Sequence, residues 1–419
     1  MVMKLGVVAR EFPPATGGME KHAFELVQSL KKHCDITVYT NAAHAGHRYN
    51  LDIPVKAVLE RDLRTDLPRI AGGDVDALLT LNAGYSPLSY LQDRPVFSYC
   101  HGNDFLSPWI PSLQSHEGAM VGLLGRTPYL RRYAPRIQRT VFRRRVARGL
   151  RHARHIFVNS EYTKQRLRGE YPGIRRPVSV APPGVPDVFF RRDRQAGEPG
   201  GSDGICRFLT IARLASVAKK KNVDNILRAL ALLRDEIPFE YRIIGDGDLR
   251  EALKGLAHEL GLRERVSFLG ELDSRDVIRW LDASDLFVLP SKASPWDVES
   301  FGIVYVEAAA RGVPSLLSRA GGATDAVLDG VSGIVIDHSD PASIADGIRH
   351  FFRCRDQFRP ARITAFATRF RWDSVSRDMW AVISGEAGGE QTSLNPDPTA
   401  TSAVPRQPAR DPSRPGGPE

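Results

Sequence analysis

The feature that most constrains the fold is a pattern that occurs twice along the chain. Short apolar runs rich in Val, Ile, Leu and Phe alternate with longer stretches in which apolar residues recur at helical spacing. This alternation is typical of parallel α/β sheets, because a helix must carry the chain back before the next parallel strand can start. The two halves are separated by "VAPPGVPDVFFRRDRQAGEPGGSDG", whose Pro, Gly and Asp residues indicate a connector. We therefore expect an α/β protein with two doubly wound, Rossmann-like domains.

Eleven apolar runs are predicted strands. Those of the first half are "KLGVVA", "DITVYT", "DALLTL", "PVFSYC" and "HIFVNS". Those of the second half are "CRFLTIARL", "EYRIIGDG", "RVSFLGEL", "DLFVLPS", "PSLLSR" and "SGIVID". Helices are expected in the first half over residues 20–31, 135–152 and 161–168.

The chain, at 419 residues, is too long for a single compact core. The predicted organisation is a first domain over 1–190, a linker over 191–204, a second domain over 205–368, a helix over 369–384 that returns to the first domain, and a tail over 385–419. The tail is rich in Pro and has almost no bulky apolar residue, so we expect it to be disordered.

Cysteine usage and hydropathy exclude several protein classes. The four cysteines, Cys34, Cys100, Cys206 and Cys354, lie far apart and form no C-x-x-C pair, which excludes a disulfide framework and a cysteine zinc site. No signal peptide is recognisable, and no apolar run approaches the ~18 residues that a membrane span needs. The expected location is the cytoplasm.

Positive charge is concentrated in one segment. The net charge is +9, and residues 118–160 contain no Asp or Glu although "RRYAPRIQRTVFRRRVARGLRHARH" is crowded with arginine. Such a block suits an anionic partner, namely phosphate head groups, a pyrophosphate or nucleic acid, and equally suits a solvated helix face. Nucleic acid is disfavoured because the arginines are not interleaved with aromatic residues.

The same helix has an apolar side. Its members are Ile137, Val141, Phe142, Val146 and Leu150. The helix could dock peripherally on an anionic inner leaflet and let the site reach a lipid-linked acceptor, or it could bury this side in the first domain and leave the arginines in water; a mixture of both is expected.

Ligands of open α/β sheets bind outside the carboxyl ends of the strands, and several candidate residues follow strands. Gly17 and Gly18 lie where a helix opens after the first strand, so its free N–H groups suit an anion, although many such turns use Gly-Gly for conformational reasons alone. His101 follows "PVFSYC" at the same edge. Asp246 belongs to an Asp-x-Asp that could hold a metal ion but more simply caps a helix, next to a tight turn at Gly245.

The second half combines cations and carboxylates at its sheet edge. Arg213 ends a strand and is followed by Lys219–Lys221, which suits a diphosphate. Glu299 and Glu307 are eight residues apart, slightly more than two helical turns, so they are expected on a similar face. Carboxylates accept hydrogen bonds from vicinal hydroxyls, as a sugar and a ribose offer. The alternative is that Glu299 caps the helix and Glu307 is exposed.

An ordered set of motifs resembles a known family, the retaining glycosyltransferases of family 4 (glycosyl transferases group 1), which have the GT-B fold. Glu299-x7-Glu307 with "ARGVPSLLSRAGGATDAV" resembles the family signature. It is accompanied, in order, by "GGMEKHAFEL", "HGND", "VNSEYTKQRL", "APPGV", "ARL…KKKNVDNILRAL", "IIGDG" and "FLGEL". The resemblance extends to about Ser384 and implies two Rossmann-like domains that face each other across a cleft.

The resemblance also implies roles for individual residues. Glu299 would contact hydroxyls of the donor sugar, with backbone amides around Phe301 and Gly302 near the sugar and phosphates, and Glu307 would hold the ribose. Arg213 and a following lysine would neutralise the leaving diphosphate, which Gly18 would also contact.

Three further roles follow from the resemblance. His101 would lie near the reacting anomeric carbon, and the loops at Gly245, Asp246 and Leu269 would frame the base. The donor is then a nucleotide diphosphate sugar, and no metal or other cofactor is expected because fixed cations and helix N-termini supply the positive field.

The chain departs from the family pattern in three places. The spacing from Arg213 to the lysines is longer, so Lys221 is preferred while Lys219 and Lys220 stay open. Asp325 stands where the family often has Glu. The stretch over 106–134 has no counterpart and is expected to shape the acceptor side.

The predicted activity is transfer of a hexose from a GDP- or UDP-linked donor to an acceptor hydroxyl with retention, in bacterial cell-surface polysaccharide or glycolipid synthesis. The alternatives are a sugar-nucleotide epimerase or hydrolase on the same architecture and a basic nucleic-acid-binding protein.

Overall fold

The computed structural model describes residues 2–14, 18–44, 47, 52–60, 63–106, 134–191, 204–293 and 298–386. Apart from their end residues, the predicted linker and the predicted disordered tail lie outside this part of the chain. So does most of the stretch over 106–134. The proposed domain boundaries therefore stay predictions.

The first sheet has seven parallel strands in the order β3-β2-β1-β4-β5-β6-β7. These are β1 Lys4–Val8, β2 Asp35–Asn41, β3 Val55–Leu59, β4 Ala77–Thr80, β5 Val96–Cys100, β6 His155–Val158 and β7 Val178–Val180. All five predicted strands are present. The two edge strands β3 and β7 were not predicted, because β3 carries Lys56 at its second position and β7 is only three residues long.

The second sheet has six parallel strands in the order β10-β9-β8-β11-β12-β13, and all six were predicted. They are β8 Cys206–Ile211, β9 Phe239–Ile244, β10 Val266–Gly270, β11 Leu286–Val288, β12 Ser315–Ser318 and β13 Gly333–Ile336. In each sheet the strand order changes direction beside the strand that comes first in the chain, between β1 and β4 and between β8 and β11. Such a switch point opens a crevice at the carboxyl ends of the strands. The α/β two-domain prediction is confirmed.

Helices cover the faces of both sheets. In the first half they are α1 Gly18–Leu30, α2 Leu63–Ala71, α3 Leu88–Leu91, α4 Ala134–His152 and α5 Glu161–Glu170. In the second half they are α6 Val223–Leu233, α7 Arg250–Glu259, α8 Ser274–Asp282, α9 Ile303–Ala310, α10 Pro341–Cys354, α11 Pro360–Ala367 and α12 Trp372–Ser384. The first and last residues of the three helices predicted in the first half lie within two residues of those of α1, α4 and α5. None of the described helices combines the length and apolar character that crossing a bilayer requires.

The arginine-rich helix α4 buries its apolar side in the first domain. Phe142, Val146 and Leu150 are at most 1% exposed and belong to a core cluster with residues of β6. Its other side is exposed and carries arginines such as Arg144 and Arg145. The burial expected for the apolar side is thus present, and contact of the helix with an anionic membrane through its arginines stays a prediction.

Helix α12 returns to the first domain. Trp372, Met379 and other apolar residues of α12 belong to the same buried cluster as β1 and α1. Ser29 Oγ of α1 also donates a 2.7 Å hydrogen bond to Ser376 Oγ. Burial of one amphipathic face thus holds the C-terminal helix against α1.

Candidate active site

A cavity of about 690 Å³ lies where the carboxyl edges of the two sheets face each other. Seven of the predicted site residues line it: Gly18, His101, Arg213, Glu299, Phe301, Gly302 and Glu307. They follow strands β1, β5, β8 and β11, as expected for open parallel sheets. The two domains therefore contribute to a single site.

Glu299 and Lys221 form an ion pair at the cavity. Lys221 Nζ lies 2.5 Å from Glu299 Oε2, and the two side chains are 19% and 13% exposed. Burial alone would raise the pKa of Glu299, but Lys221 and Lys220 outweigh it and hold that pKa below its usual value. Glu299 is thus a carboxylate at neutral pH.

The three consecutive lysines are not equivalent. Lys220 lines the cavity and donates to the Val298 carbonyl at 3.3 Å. Lys221 does not line the cavity itself but donates to Glu299, which does. Lys219 is exposed and lines a neighbouring pocket. The preference for Lys221 stays a prediction, with Lys220 the nearer alternative.

Glu299 lies before its helix. Helix α9 begins at Ile303 with Gly302 as the N-cap, which adopts a left-handed φ of +83° and makes no side-chain cap. The expectation that Glu299 and Glu307 share a helical face is therefore wrong, and so is the alternative that Glu299 caps the helix. Both residues nevertheless line the same cavity.

Glu307 is buried and paired across the cleft. Its side chain is 5% exposed, and Oε1 accepts a hydrogen bond from Lys21 Nζ of α1 at 2.9 Å. Burial would lower the pKa of Lys21, but Glu307 more than compensates and raises it. Sequence reasoning missed Lys21; its signal was its position one turn after Gly18, at the start of a helix that faces the cleft.

His101 is held as a neutral imidazole. Its Nε2 donates to the carbonyl of Leu81 at 3.1 Å, since a carbonyl can only accept. Burial lowers the pKa of His101 to about 4, although the hydrogen bond to Leu81 opposes the shift. The other ring nitrogen, Nδ1, is consequently an unprotonated acceptor.

Asp104 organises the backbone around His101 and was not among the predicted site residues. Its Oδ1 accepts from the N–H groups of His101 and Gly102 at 2.9 and 3.0 Å, and its Oδ2 accepts from Ala83 at 2.9 Å. Burial raises the pKa of Asp104 to about 6, against the effect of these donors. Asp104 is the last residue of the "HGND" motif, which was part of the resemblance to the family.

Gly18 opens helix α1 beside the cavity. It is exposed, and a Cβ placed there would have no neighbour within 4 Å, so the chain leaves space for a ligand beside this residue. Gly17 lies outside the described residues.

Gly245, Asp246 and Leu269 do not line the cavity. They follow or belong to β9 and β10, where Gly245 bridges Gly270, and Leu269 is partly buried against the second core. Asp246 accepts hydrogen bonds from Gly247 N and from Arg250 at 2.7 Å each. It does not cap helix α7, whose N-cap is Leu249, so the capping interpretation is wrong. The role of all three at the base stays a prediction.

Comparisons with known proteins agree with this geometry. The model of Glycosyltransferase Family 4 matches residues 16–188, and that of Glycosyl transferases group 1 matches residues 207–367. A GDP-mannose-dependent alpha-(1-6)-phosphatidylinositol monomannoside mannosyltransferase of Mycolicibacterium smegmatis is 26% identical over 364 residues, covering 82% of this chain and 87% of that protein. A D-inositol 3-phosphate glycosyltransferase of Nocardia farcinica is 30% identical over 273 residues, or 60% of this chain and 59% of that protein.

Solved structures show the same fold. Sucrose-phosphate synthase from Thermosynechococcus elongatus superimposes with a TM-score of 0.68 at 16% identity, covering 92% of this chain and 99% of that chain. Anabaena HepE in complex with UDP gives a TM-score of 0.68 at 18% identity, covering 91% of this chain and 100% of that chain. With both halves matched by family models and both sheets arranged as in these enzymes, the chain belongs to the GT-B glycosyltransferases of family 4, in the glycosyl transferases group 1.

Proposed function

We propose that this nucleotide-sugar glycosyltransferase moves a hexose from a GDP- or UDP-linked donor to an acceptor hydroxyl, with retention of anomeric configuration and without a metal ion. The process it serves is bacterial cell-surface polysaccharide or glycolipid synthesis. The observation that carries the proposal is the single cleft that brings the Lys221–Glu299 pair together with Arg213, Glu307 and His101.

Cations and helix ends support departure of a diphosphate. Breaking the bond between sugar and phosphate leaves negative charge on the leaving group, and fixed positive groups aimed at it lower the barrier. Arg213 and Lys220 line the cavity, and helices α1 and α9 begin at its wall with Gly18 and Gly302 beside them. Such helix N-termini favour anions. This field takes the role that a metal ion has in other transferases.

Glu299 acts in this proposal by positioning the sugar. A carboxylate whose Oε2 is engaged by an ammonium 2.5 Å away is a poorer nucleophile, yet its remaining acceptor sites can orient sugar hydroxyls. Neutral His101 would accept a hydroxyl hydrogen bond at Nδ1 near the anomeric carbon. Glu307 would hold the ribose of the nucleotide.

A panel of GDP- and UDP-sugars tests the donor and the reaction type. GDP-mannose is included because a relative is named for that donor, and UDP-glucose represents the uridine class. Release of nucleoside diphosphate should require an acceptor, and NMR of the product should show the donor's anomeric configuration. Sugar release or epimerisation without an acceptor would instead favour the hydrolase or epimerase. An inverted product would contradict retention, and activity abolished by EDTA and restored by Mg²⁺ would contradict metal independence.

Contact with the inner face of a membrane is a separate proposal for the cytoplasmic enzyme. It is supported by exposed arginines of α4, among them Arg144, Arg145, Arg148 and Arg151. Because the apolar side of α4 is buried, binding would be electrostatic and sensitive to salt. Sedimentation with phosphatidylglycerol–phosphatidylcholine vesicles should exceed that with phosphatidylcholine alone and should fall at high salt. Equal sedimentation in both would contradict the contact.

A further inference from the structure

The ion pair between Lys21 and Glu307 joins the two domains inside the donor cleft. Lys21 belongs to α1 of the first domain and Glu307 to α9 of the second, 286 residues away. Both side chains line the same cavity as Arg213 and Glu299. A carboxylate expected to bind a ligand is thus already engaged by a cation of the protein itself.

The exposures of the two side chains indicate which side of Glu307 is open. The Glu307 side chain is 5% exposed and the Lys21 side chain is 43% exposed. The carboxylate is therefore almost fully covered, and its Oε1 is engaged by the Lys21 ammonium. A ligand that binds this oxygen from the cavity must share it with Lys21 or displace Lys21.

Lys21 is held over Glu307 by more than charge. Its ammonium also lies 5.4 Å from the centre of the Phe189 ring, within the range of a cation–π contact. A buried carboxylate that loses its partner costs free energy, so Glu307 requires a donor at all times. Either an ammonium or a pair of hydroxyl groups can provide it.

We infer that Lys21 is a specificity-determining residue, whose ammonium competes with the ribose hydroxyls of the donor for Glu307. The inference rests on the proposed function, in which Glu307 binds the ribose. Lys21 satisfies Glu307 while the cleft is empty and is displaced when the nucleotide binds. The net gain from the two hydroxyls in the wild-type protein is reduced by the ion pair that they replace.

The test compares nucleotides that differ only in the ribose hydroxyls. GDP and UDP are titrated against their 2′,3′-dideoxy analogues by isothermal calorimetry, using whichever base binds the wild-type protein. Any loss of attraction between Lys21 and the phosphates affects both members of a pair equally, so the affinity ratio reports on the hydroxyls alone. In Lys21→Met the preference for the ribonucleotide should rise about three- to tenfold. Lys21→Gln, whose amide can still donate one neutral hydrogen bond, should give a smaller rise and serves if Lys21→Met does not fold.

Lys32→Met is the matched control. Lys32 follows the same helix and pairs with Asp373 at 2.5 Å, but both side chains are at least 50% exposed and neither lines the cavity. The ratio of ribonucleotide affinity to dideoxynucleotide affinity in Lys32→Met should equal that of the wild-type protein.

Glu307→Ala separates the inference from the proposed function. If the ratio collapses toward one in Glu307→Ala and rises in both Lys21 variants, the inference is supported. If it collapses in Glu307→Ala but is unchanged or lower in the Lys21 variants, the competition is refuted while Glu307 keeps its ribose role. If Glu307→Ala leaves the ratio unchanged, or if the wild-type protein binds neither GDP nor UDP, the role of Glu307 fails and the inference fails with it.

Discussion

Lys221 and Glu299 are 78 residues apart in the chain, and their charged groups lie 2.5 Å apart at the wall of the cleft. The lysine follows the first strand of the second sheet, and the glutamate lies in the loop before α9. Parallel strands place the loops that follow them at one edge of the sheet, so the two residues, each a weak signal in the sequence, lie close enough to form a charged pair.

Loss of either member of this pair should reduce turnover steeply. Glu299→Ala removes the group proposed to orient the sugar and leaves Lys221 part-buried without its partner, while Lys221→Ala leaves Glu299 without its hydrogen-bonded ammonium. We expect kcat to fall by about 10²–10³ in each, which is typical for removal of an electrostatic contact in an active site. The double variant should lose far less than the product of the two effects, because the residues act as a unit.

Lys254→Ala is the control for this prediction. Lys254 pairs with Glu251 on the surface of α7, where ion pairs contribute little. Its kcat and its far-UV circular dichroism should match those of the wild-type protein. Wild-type turnover in both Glu299→Ala and Lys221→Ala would remove the assignment.

A second contact between the domains involves Asp325. Its Oδ2 accepts a 2.5 Å hydrogen bond from the N–H of Glu161, the first residue of α5. The carboxylate thus lies at the positive end of a helix in the other domain. Burial raises the pKa of Asp325, although its bonds to the N–H groups of Glu161 and Tyr162 act in the opposite direction.

Asp325→Ala should weaken the contact between the domains. An N–H left without its acceptor in a part-buried position costs about 1–3 kcal/mol, so thermal unfolding should begin at a lower temperature. Asp346→Ala, which removes an exposed partner of Arg349 on α10, should change stability by no more than about 0.5 kcal/mol. Equal melting curves for the two variants would show that the Asp325 contact adds nothing to stability.

The part-buried His101 predicts a defined dependence of the protein's stability on pH. Its pKa in the folded protein is about 4, below the ordinary value of 6.5, because of burial. Between these values the unfolded chain binds a proton that the folded protein does not. The stabilising contribution of neutral His101 is therefore complete above pH 6.5 and is lost as the pH falls toward 4.

His101→Gln isolates this contribution. Between pH 7 and pH 5 the wild-type protein should lose on the order of 1–2 kcal/mol of unfolding free energy more than the variant, as measured by urea titration. Asp104, whose raised pKa acts with the opposite sign, is present in both proteins and largely cancels in the comparison. A difference between the two proteins that does not change with pH would mean that His101 titrates normally.

Local sequence signals were sufficient for most of the fold. Strands that are apolar throughout, such as Leu286–Val288, can be recognised because both faces of a parallel sheet are covered. The edge strand Val55–Leu59 is interrupted by an exposed lysine and has no comparable signature. The two edge strands of the first sheet were accordingly missed, although the edge strands of the second sheet, Val266–Gly270 and Gly333–Ile336, were predicted.

Residues of the candidate site could be predicted where their position after a strand was itself the signal. They could not be predicted where their importance depends on a partner that is distant in the sequence. Arg213 and Glu299 follow strands, and both line the cavity. Lys21 acquires its significance only from Glu307, which lies in the other domain. Glu299 and Glu307 do not share the expected helical face because α9 begins only at Ile303, after the N-cap Gly302 with its positive φ, so Glu299 lies before the helix.

Gly302 also provides the last prediction, because a side chain there has no space. Its φ of +83° is unfavourable for any residue with a Cβ, and a Cβ would lie 2.4 Å from the Tyr305 ring. That ring is fully buried, and its hydroxyl donates to the Leu289 carbonyl at 2.6 Å, so it cannot move aside without breaking a buried hydrogen bond.

Gly302→Ala should therefore destabilise the protein by about 1–3 kcal/mol and also weaken binding of the donor nucleotide, since relief of the strain displaces the N–H groups at the start of α9. Gly255→Ala is the opposite case, because Gly255 lies inside α7 with no atom within 4 Å of the added Cβ. That change should stabilise the protein by about 0.5–1 kcal/mol and leave nucleotide affinity unaltered. Urea unfolding and nucleotide titration of both variants check the prediction. A Gly302→Ala protein that is destabilised but binds GDP or UDP as tightly as wild type would mean that the start of α9 contributes nothing to donor binding.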